Sequence, residues 1–149
     1  MYRGRRPTSD NAYFENLARC LFQAGLSWRT VTNKWSNFRR AFGGFDVRKV
    51  AAYGAEDIGR LSEDAGIIRN RNKIVASIHN AREFERVAAG HGSFQRWLDS
   101  LDKTDNYATA VKQIISRFKH VGETTASIFL YTVGEDIRFP EMGHGRGRR

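Results

Sequence analysis

The stretch FKHVGETTASIFLYTV, residues 118–133, indicates the fold of this chain more clearly than any other segment. After Gly122 it has helical apolar periodicity, and no charged residue follows Glu123 within it. Its apolar side chains, which cover most sides of one helix, are Ala126, Ile128, Phe129, Leu130 and Val133. A helix that is apolar on most sides is normally buried, so we predict that this one is the central element of a helical domain.

The same periodicity recurs outward from this helix, whereas strand-like alternation does not persist for more than a few residues. The residues expected to cap these helices at their N-termini are Ser9 or Asp10, Ser27, Asp46, Ser93, and Thr104 or Asp105. We therefore predict an all-α fold, a single domain of about seven or eight helices over residues 9–142. The Gly/Arg-rich residues 1–8 and 143–149 are expected to be basic tails.

Length and composition exclude several classes of protein. The chain has 149 residues, 40% of them hydrophobic and 12% aromatic, which is enough for one core and too aromatic for a disordered protein. It contains no membrane-length apolar stretch, so we expect a soluble, cytoplasmic protein without membrane contact. The lone Cys20 rules out an internal disulfide, and the four scattered histidines predict neither a metal site nor a cofactor.

The charge suggests a polyanionic partner without proving one. The net charge is +9, but six arginines in residues 1–6 and 143–149 leave residues 7–142 with only +3. Charged tails make any domain basic, so charge alone does not decide between nucleic acid and no nucleic acid.

The turn before the central helix is the first candidate site. A glycine between two helices allows close approach of a ligand, and the free N–H groups at a helix start bind anions. The turn therefore predicts a helix–hairpin–helix element that grips a DNA phosphate, although a plain helix–glycine–helix corner has the same pattern. Its residues are Lys119, His120, Val121, Gly122, Thr124 and Thr125.

Two further segments point to nucleic acid. Arg69, Arg71 and Lys73 alternate across a helix start, where they are predicted to contact successive phosphates unless they form only a solvated basic surface. In Gln23–Trp28, Leu26 lies on a glycine-containing turn and is expected to act as a wedge between base steps. Trp28 offers a ring for an extruded base, with Gln23 and Ser27 as hydrogen-bonding neighbours, although a tryptophan in such a segment, taken in isolation, more often belongs to the core.

Taken together, these segments resemble one known family. Its motifs occur here in a single order, at Gln23–Trp28, Phe45–Ala52, Asp64–Ile74, Asn80–Arg82 and Phe118–Thr125. In these motifs the chain closely resembles the DNA-3-methyladenine glycosylase I family, within the helix–hairpin–helix DNA glycosylases. The resemblance covers roughly residues 9–136.

The resemblance implies base excision repair. A member of this family flips an alkylated purine, such as 3-methyladenine, out of duplex DNA and hydrolyses its N-glycosidic bond. It implies that Leu26 is the wedge, that Trp28 is the stacking wall of the pocket, and that Lys119 through Thr125 bind the phosphodiester backbone. The expected partner is double-stranded DNA containing alkylated bases, and the expected state is a monomer.

Two departures from the family pattern concern catalysis. Cys20 stands where the family has a glutamate that contacts the base, and a thiol supplies neither its charge nor its hydrogen bond. The structural zinc of the family has no ligand set here, since His144 alone is insufficient. The candidate catalytic carboxylates are Glu141, which follows the buried helix, and Glu15, five residues from Cys20, although either residue fits an ordinary surface role.

Three functions therefore remain open at this level. The first is an active monofunctional glycosylase. The second is a catalytically inactive DNA-binding or lesion-recognition module. The third is a relic of the fold that binds a protein partner, although the retained wedge, indole and hairpin argue against it.

Overall fold

The computed structural model describes residues 3–139, and this part of the chain contains eight α-helices, one short 3-10 turn and no strand. The helices are α1 (Asp10–Gln23), α2 (Trp28–Ala41), α3 (Val47–Ala51), α4 (Ala55–Ser62), α5 (Arg71–His91), α6 (Phe94–Ser100), α7 (Thr104–Arg117) and α8 (Glu123–Thr132). The 3-10 turn, Gly43–Phe45, lies between α2 and α3. The all-α prediction is confirmed.

Most helices begin where the sequence predicted. Ser9, Ser27, Asp46 and Ser93 each accept a backbone N–H from the first turn of the helix that follows. Such caps fix a helix start because the first N–H groups have no partner within the helix.

The start of α7 was predicted wrongly. Neither Thr104 nor Asp105 caps the helix; instead the Asp102 carboxylate accepts the Thr104 N–H at 2.9 Å. Residues 105–107 follow with φ between 53° and 68°, a left-handed turn that the helical period of the side chains does not reveal.

The core lies around α5 rather than α8. The 21-residue α5 packs against α1, α3, α4 and α6, whereas α8 packs mainly against α1 and α7. Stacked aromatic rings fill the space between α5 and α6, where Phe84 and Phe94 lie 4.5 Å apart. Phe129 and Leu130 of α8 are fully buried, as expected, but Ile128 and Tyr131 are only partly buried. The longest helix, α5, therefore packs against more of the other helices than α8 does.

Residues 3–6 contact the helical body, so the predicted tail over residues 1–8 does not describe them. The Gly4 N–H donates to the Tyr131 carbonyl at 3.1 Å, and the Arg3 guanidinium lies 4.6 Å above the Tyr131 ring. A Cβ on Gly4 would meet the Thr132 carbonyl oxygen at 1.7 Å, so this close approach requires glycine. The predicted tail at residues 143–149 lies outside the described residues.

None of the helices within residues 3–139 combines the length and the hydropathy needed to cross a membrane.

Candidate functional site

The turn between α1 and α2 presents an apolar side chain to solvent. The Leu26 N–H donates to the Gln23 carbonyl at 2.7 Å, with Ala24 at φ −54°, ψ 121° and Gly25 at φ 84°. This is a type II turn, whose third residue must adopt positive φ and is therefore best occupied by glycine. The Gln23 amide closes the turn by donating to the Leu26 carbonyl at 2.8 Å. Leu26 is left 39% exposed on a backbone that is held at both ends.

Lys73 supports this turn from below, which differs from the phosphate contact predicted for it. Its side chain is 9% exposed, and its ammonium donates to the carbonyls of Ala24 at 2.9 Å and Phe22 at 3.4 Å. The last carbonyls of a helix have no helical partner and carry partial negative charge, so they attract a cation. Burial lowers the pKa of Lys73. The Lys73 ammonium thus links α5 to the end of α1, and it is not available to bind a DNA phosphate.

Trp28 is half-buried at the start of α2, with a cation over its ring. The Arg19 guanidinium lies 5.6 Å from the centroid of Trp28 and 5.3 Å from that of Trp35, and it donates to the Thr32 hydroxyl at 2.6 Å. Ser27, one of the predicted polar neighbours, uses its hydroxyl to cap α2. One face of the predicted stacking ring is therefore covered by a guanidinium in this state.

Cys20 of α1 faces α8, whereas its neighbour Arg19 faces Trp28 of α2. Cys20 is 2% exposed and its Sγ is 3.8 Å from the Thr132 hydroxyl of α8. Burial raises the pKa of the thiol to about 12, so it is neutral at physiological pH. The contacts of Cys20 and Trp28 thus involve different neighbours, and a shared base pocket remains a prediction.

The two candidate carboxylates differ in what the structure says of them. Glu15 accepts from Trp35 Nε1 at 2.8 Å and from Arg39 Nε at 2.7 Å and Nη2 at 3.1 Å. Burial alone would raise the pKa of Glu15, but the hydrogen bonds from Arg39 and Trp35 outweigh it and lower the pKa. Both oxygens of Glu15 are therefore engaged between α1 and α2. Glu141 lies outside the described residues.

The α7–α8 turn, residues 118–122, is held by a buried asparagine. Asn80 of α5 is 1% exposed; it accepts the Lys119 N–H at 2.7 Å and donates to the Lys119 carbonyl at 3.2 Å. His120 follows at φ 63°, and Gly122 precedes α8 without a side-chain cap on the helix. An uncapped helix start exposes N–H groups suited to an anion. Of the remaining predicted residues, Val121 and Thr125 are buried, while Thr124 is exposed.

Two of the predicted basic segments meet in space. Arg71 at the start of α5 lines one open groove of about 510 Å³ together with Lys119 and His120 of the α7–α8 turn. His79, which the sequence analysis did not select, lines the same groove. Arg69 is exposed just before α5 but does not line this groove. The four grooves described within residues 3–139 are not lined by Trp28 or Cys20.

Three residues of the candidate site were not selected as site residues from the sequence: Arg19 over the Trp28 ring, His79 in the groove and Asn80 against the α7–α8 turn. Asn80 had a usable signal, because a polar amide on the apolar stripe of a long helix needs a hydrogen-bond partner when it is buried. Arg19 and His79 had no such signal, since each lies at a position typical of a solvated helix face. Within residues 3–139 there is also no group of three His, Cys, Asp or Glu side chains placed to hold a metal ion.

Comparisons with known proteins place this geometry in a family. The family model of methyladenine glycosylase matches residues 3–127. The DNA-3-methyladenine glycosylase 1 of Escherichia coli (strain K12) is 58% identical over 62 residues, 42% of this chain and 33% of that protein. The DNA-3-methyladenine glycosylase of Haemophilus influenzae is 31% identical over 130 residues, 75% of this chain and 70% of that protein.

A solved structure extends the likeness to three dimensions. The structure of 3-methyladenine DNA glycosylase I from Staphylococcus aureus, described as the structural basis of 3-methyladenine recognition, superposes with a TM-score of 0.79 at 28% identity. The superposition covers 89% of this chain and 80% of that one. Sequence match and fold agree over most of the described residues: the chain belongs to the methyladenine glycosylase family.

Proposed function

We propose that this chain is a monofunctional DNA glycosylase that removes alkylated purines of the 3-methyladenine type from duplex DNA. The observation that carries the proposal is the role of α5. Lys73 holds the Leu26 turn, and Asn80 holds the α7–α8 turn. The two residues are seven apart on one helix, two turns along the same face, or about 10 Å. A single rigid helix therefore fixes the spacing between the candidate wedge and the candidate phosphate clamp.

The two elements divide the work on DNA between them. Lys119, His120 and the uncapped start of α8 bind the backbone phosphates, with Arg71 in the same groove. Leu26 enters the base stack and favours extrusion of the damaged nucleotide, which costs least for a base that already pairs poorly. The protein meets the duplex as a rigid body at both points.

Hydrolysis then requires little assistance. A purine methylated at N3 is cationic in DNA, so it leaves with the electron pair of the broken N-glycosidic bond as a neutral base. Water adds to the sugar carbon and loses a proton. Glu141 is our candidate for the carboxylate that stabilises the cationic sugar and orients the water. Glu15 is the second candidate, but it would first have to release Arg39.

Recognition of the base is assigned to Trp28, whose ring attracts a cationic purine through its π-face. Arg19 lies over that ring and carries the same charge as the substrate. The base therefore stacks either on the face away from Arg19 or after the guanidinium has moved off the ring. Gln23 and Ser27 are next to Trp28 in the proposed base pocket. Their side chains are already hydrogen-bonded, Gln23 to the Leu26 carbonyl in the turn and Ser27 to the Thr30 N–H at the start of α2.

The test is release of the free base. Duplex DNA treated with a methylating agent is incubated with the protein, and 3-methyladenine is measured by chromatography under single-turnover conditions. We expect release, with losses of at least tenfold for Leu26→Ala and Lys119→Ala. Lys49→Ala, an exposed cation on α3, serves as the matched control and is expected to behave like the unmodified chain. If Leu26→Ala and Lys119→Ala release the base as fast as Lys49→Ala and the unmodified chain, the proposed docking surface is wrong.

A second function is favoured by one observation. The buried, neutral Cys20 leaves the described residues without a carboxylate at the position where the family has its base-contacting glutamate. A lesion-recognition module without catalysis would bind alkylated duplex through Leu26 and Trp28 but release no base. Binding that depends on Trp28 together with release no faster than the spontaneous rate would establish that function instead. Glu141→Gln with unchanged release would remove Glu141 as the catalytic carboxylate.

A further inference from the structure

A second groove adjoins the one at the α7–α8 turn. It has a volume of about 500 Å³ and lies between α5 and the end of α7. The two grooves share His79 and Lys119 in their linings, so they lie next to each other along α5. Arg71 lines one groove and Arg86 the other; the two residues are fifteen positions apart, which is about 22 Å along the helix. We call the two grooves together the α5 channel.

The α5 channel has more cations than carboxylates in its lining. The groove containing Arg71 has no carboxylate in its lining. The groove containing Arg86 has one, Glu83, which is almost fully buried and is neutralised by Arg86 at 2.8 Å and Arg117 at 2.7 Å. The surface left to a ligand is therefore cationic, and its length matches several phosphates of a strand, which are spaced about 3.4 Å along the duplex axis.

His79 is the residue at the middle of the α5 channel. Burial is the main cause that lowers its pKa, and the cations Lys119 and Arg86 lower it further, with a smaller contribution from Arg82. Glu83 acts in the opposite direction. His120, on the α7–α8 turn, is the other histidine of the channel. In the free protein His79 is thus neutral at pH 7, half-buried among cations that repel its proton.

We propose that the α5 channel binds consecutive phosphates of one DNA strand beyond the α7–α8 turn, and that His79 is a phosphate ligand which takes up a proton as the strand binds. A phosphate beside His79 offsets the charge of Lys119 and Arg86 and favours the imidazolium, which then donates both N–H groups. This inference rests on the proposed function, since it assumes that the duplex reaches the α7–α8 turn.

Proton uptake has a defined sign. The affinity for DNA falls as the pH rises between the lowered pKa of His79 in the free protein and its higher pKa in the complex. Uptake of one proton changes the affinity by at most about tenfold per pH unit in that range. Each phosphate contact also contributes about 0.9 to the slope of log affinity against log salt concentration.

The experiment uses the full chain and a fluorescein-labelled duplex of undamaged DNA. Its dissociation constant is measured by fluorescence anisotropy from pH 5.5 to 8.5 and at several NaCl concentrations. His79→Gln is expected to flatten the pH profile and to lower the salt slope at pH 6 by about 1. His79→Arg, which is always charged, is expected to bind tightly at pH 8. Arg86→Gln, at the far end of the channel, is expected to lower the salt slope by about 1 at every pH.

His91→Gln serves as the control, because it removes an exposed histidine at the end of the same helix that lines neither groove. It is expected to retain the pH dependence. The inference is overturned if His79→Gln and Arg86→Gln bind like the unmodified chain, or if His91→Gln removes the pH dependence instead. Thermal unfolding of each variant shows that the fold is retained, and His79→Arg and Arg86→Gln decide the matter if His79→Gln is unstable.

Failure of this inference differs from failure of the proposed function. If the unmodified chain does not bind duplex DNA at all, both are wrong. If it binds, and Lys119→Ala weakens binding while His79→Gln and Arg86→Gln do not, the proposed docking surface stands and the extended channel does not.

Discussion

Replacing Asn80 with alanine tests the link between packing and DNA binding. The Asn80 amide makes two hydrogen bonds to the backbone of Lys119, at 2.7 and 3.2 Å, from a position that is 1% exposed. Asn80→Ala removes both bonds and leaves a small cavity beside α5. The Lys119 N–H and C=O then lose their partners within the protein.

The cost can be worked out from these two bonds. Each contributes about 1 kcal/mol net, and a backbone group left unpaired in a partly buried site adds to the loss, so we expect about 2–4 kcal/mol. For a domain of this size the midpoint of thermal unfolding falls by roughly 2–4 °C for each kcal/mol. Urea denaturation gives the free energy of unfolding directly. The freed turn should also weaken binding to a fluorescent duplex by several-fold.

Asn33→Ala is the matched control, because Asn33 is exposed on α2. It should change stability by less than about 0.5 kcal/mol. If Asn80→Ala loses less than about 0.5 kcal/mol of stability, the two hydrogen bonds from Asn80 to Lys119 do not stabilise the fold. If Asn80→Ala loses about 2–4 kcal/mol of stability, as expected, but binds DNA with unchanged affinity, Asn80 does not hold the α7–α8 turn in position for the DNA backbone.

Three further outcomes follow from local geometry. Gly25→Ala places a side chain at φ 84° with no steric neighbour within 4 Å, so it should cost about 1–2 kcal/mol in urea unfolding. Gly59→Ala, equally open but inside α4, should instead gain about 0.5–1 kcal/mol, and equal signs for the pair would be inconsistent with the turn. Burial opposes ionisation of Glu15, but the hydrogen bonds from Arg39 and the Trp35 indole lower its pKa overall. The contribution of Glu15 to the free energy of unfolding is therefore complete above about pH 5, and it disappears as the pH falls through the lowered pKa. Glu15→Gln should therefore reduce the free energy of unfolding by about 1–3 kcal/mol at pH 7 and much less near pH 3; a loss independent of pH would contradict the ion pair. The Cys20 thiol, with a pKa of about 12, should react with Ellman's reagent at pH 8 only after unfolding in urea, and rapid reaction of the native protein would show that it is accessible.

The elements that we propose to face DNA were only partly predictable. Leu26 was identified correctly as a residue on a glycine turn, and it is exposed. Lys73 was placed with the phosphate ligands because it alternates with Arg69 and Arg71 across a helix start. It lies instead against carbonyls 49 and 51 residues away in the chain. That contact depends on how α5 crosses the end of α1, which no local pattern encodes.

The sequence by itself determined the helical class, four of the helix caps and the glycine turns, because these depend on interactions within a few residues. It also carried the family motifs. Only the tertiary structure decided that α5 joins the Leu26 turn to the α7–α8 turn through Lys73 and Asn80, and that Arg71, His79 and Lys119 line one groove. The reason is physical: a polar side chain on a helix reads the same in sequence whether it faces water or an unpaired backbone group, and only the packing of distant segments distinguishes the two.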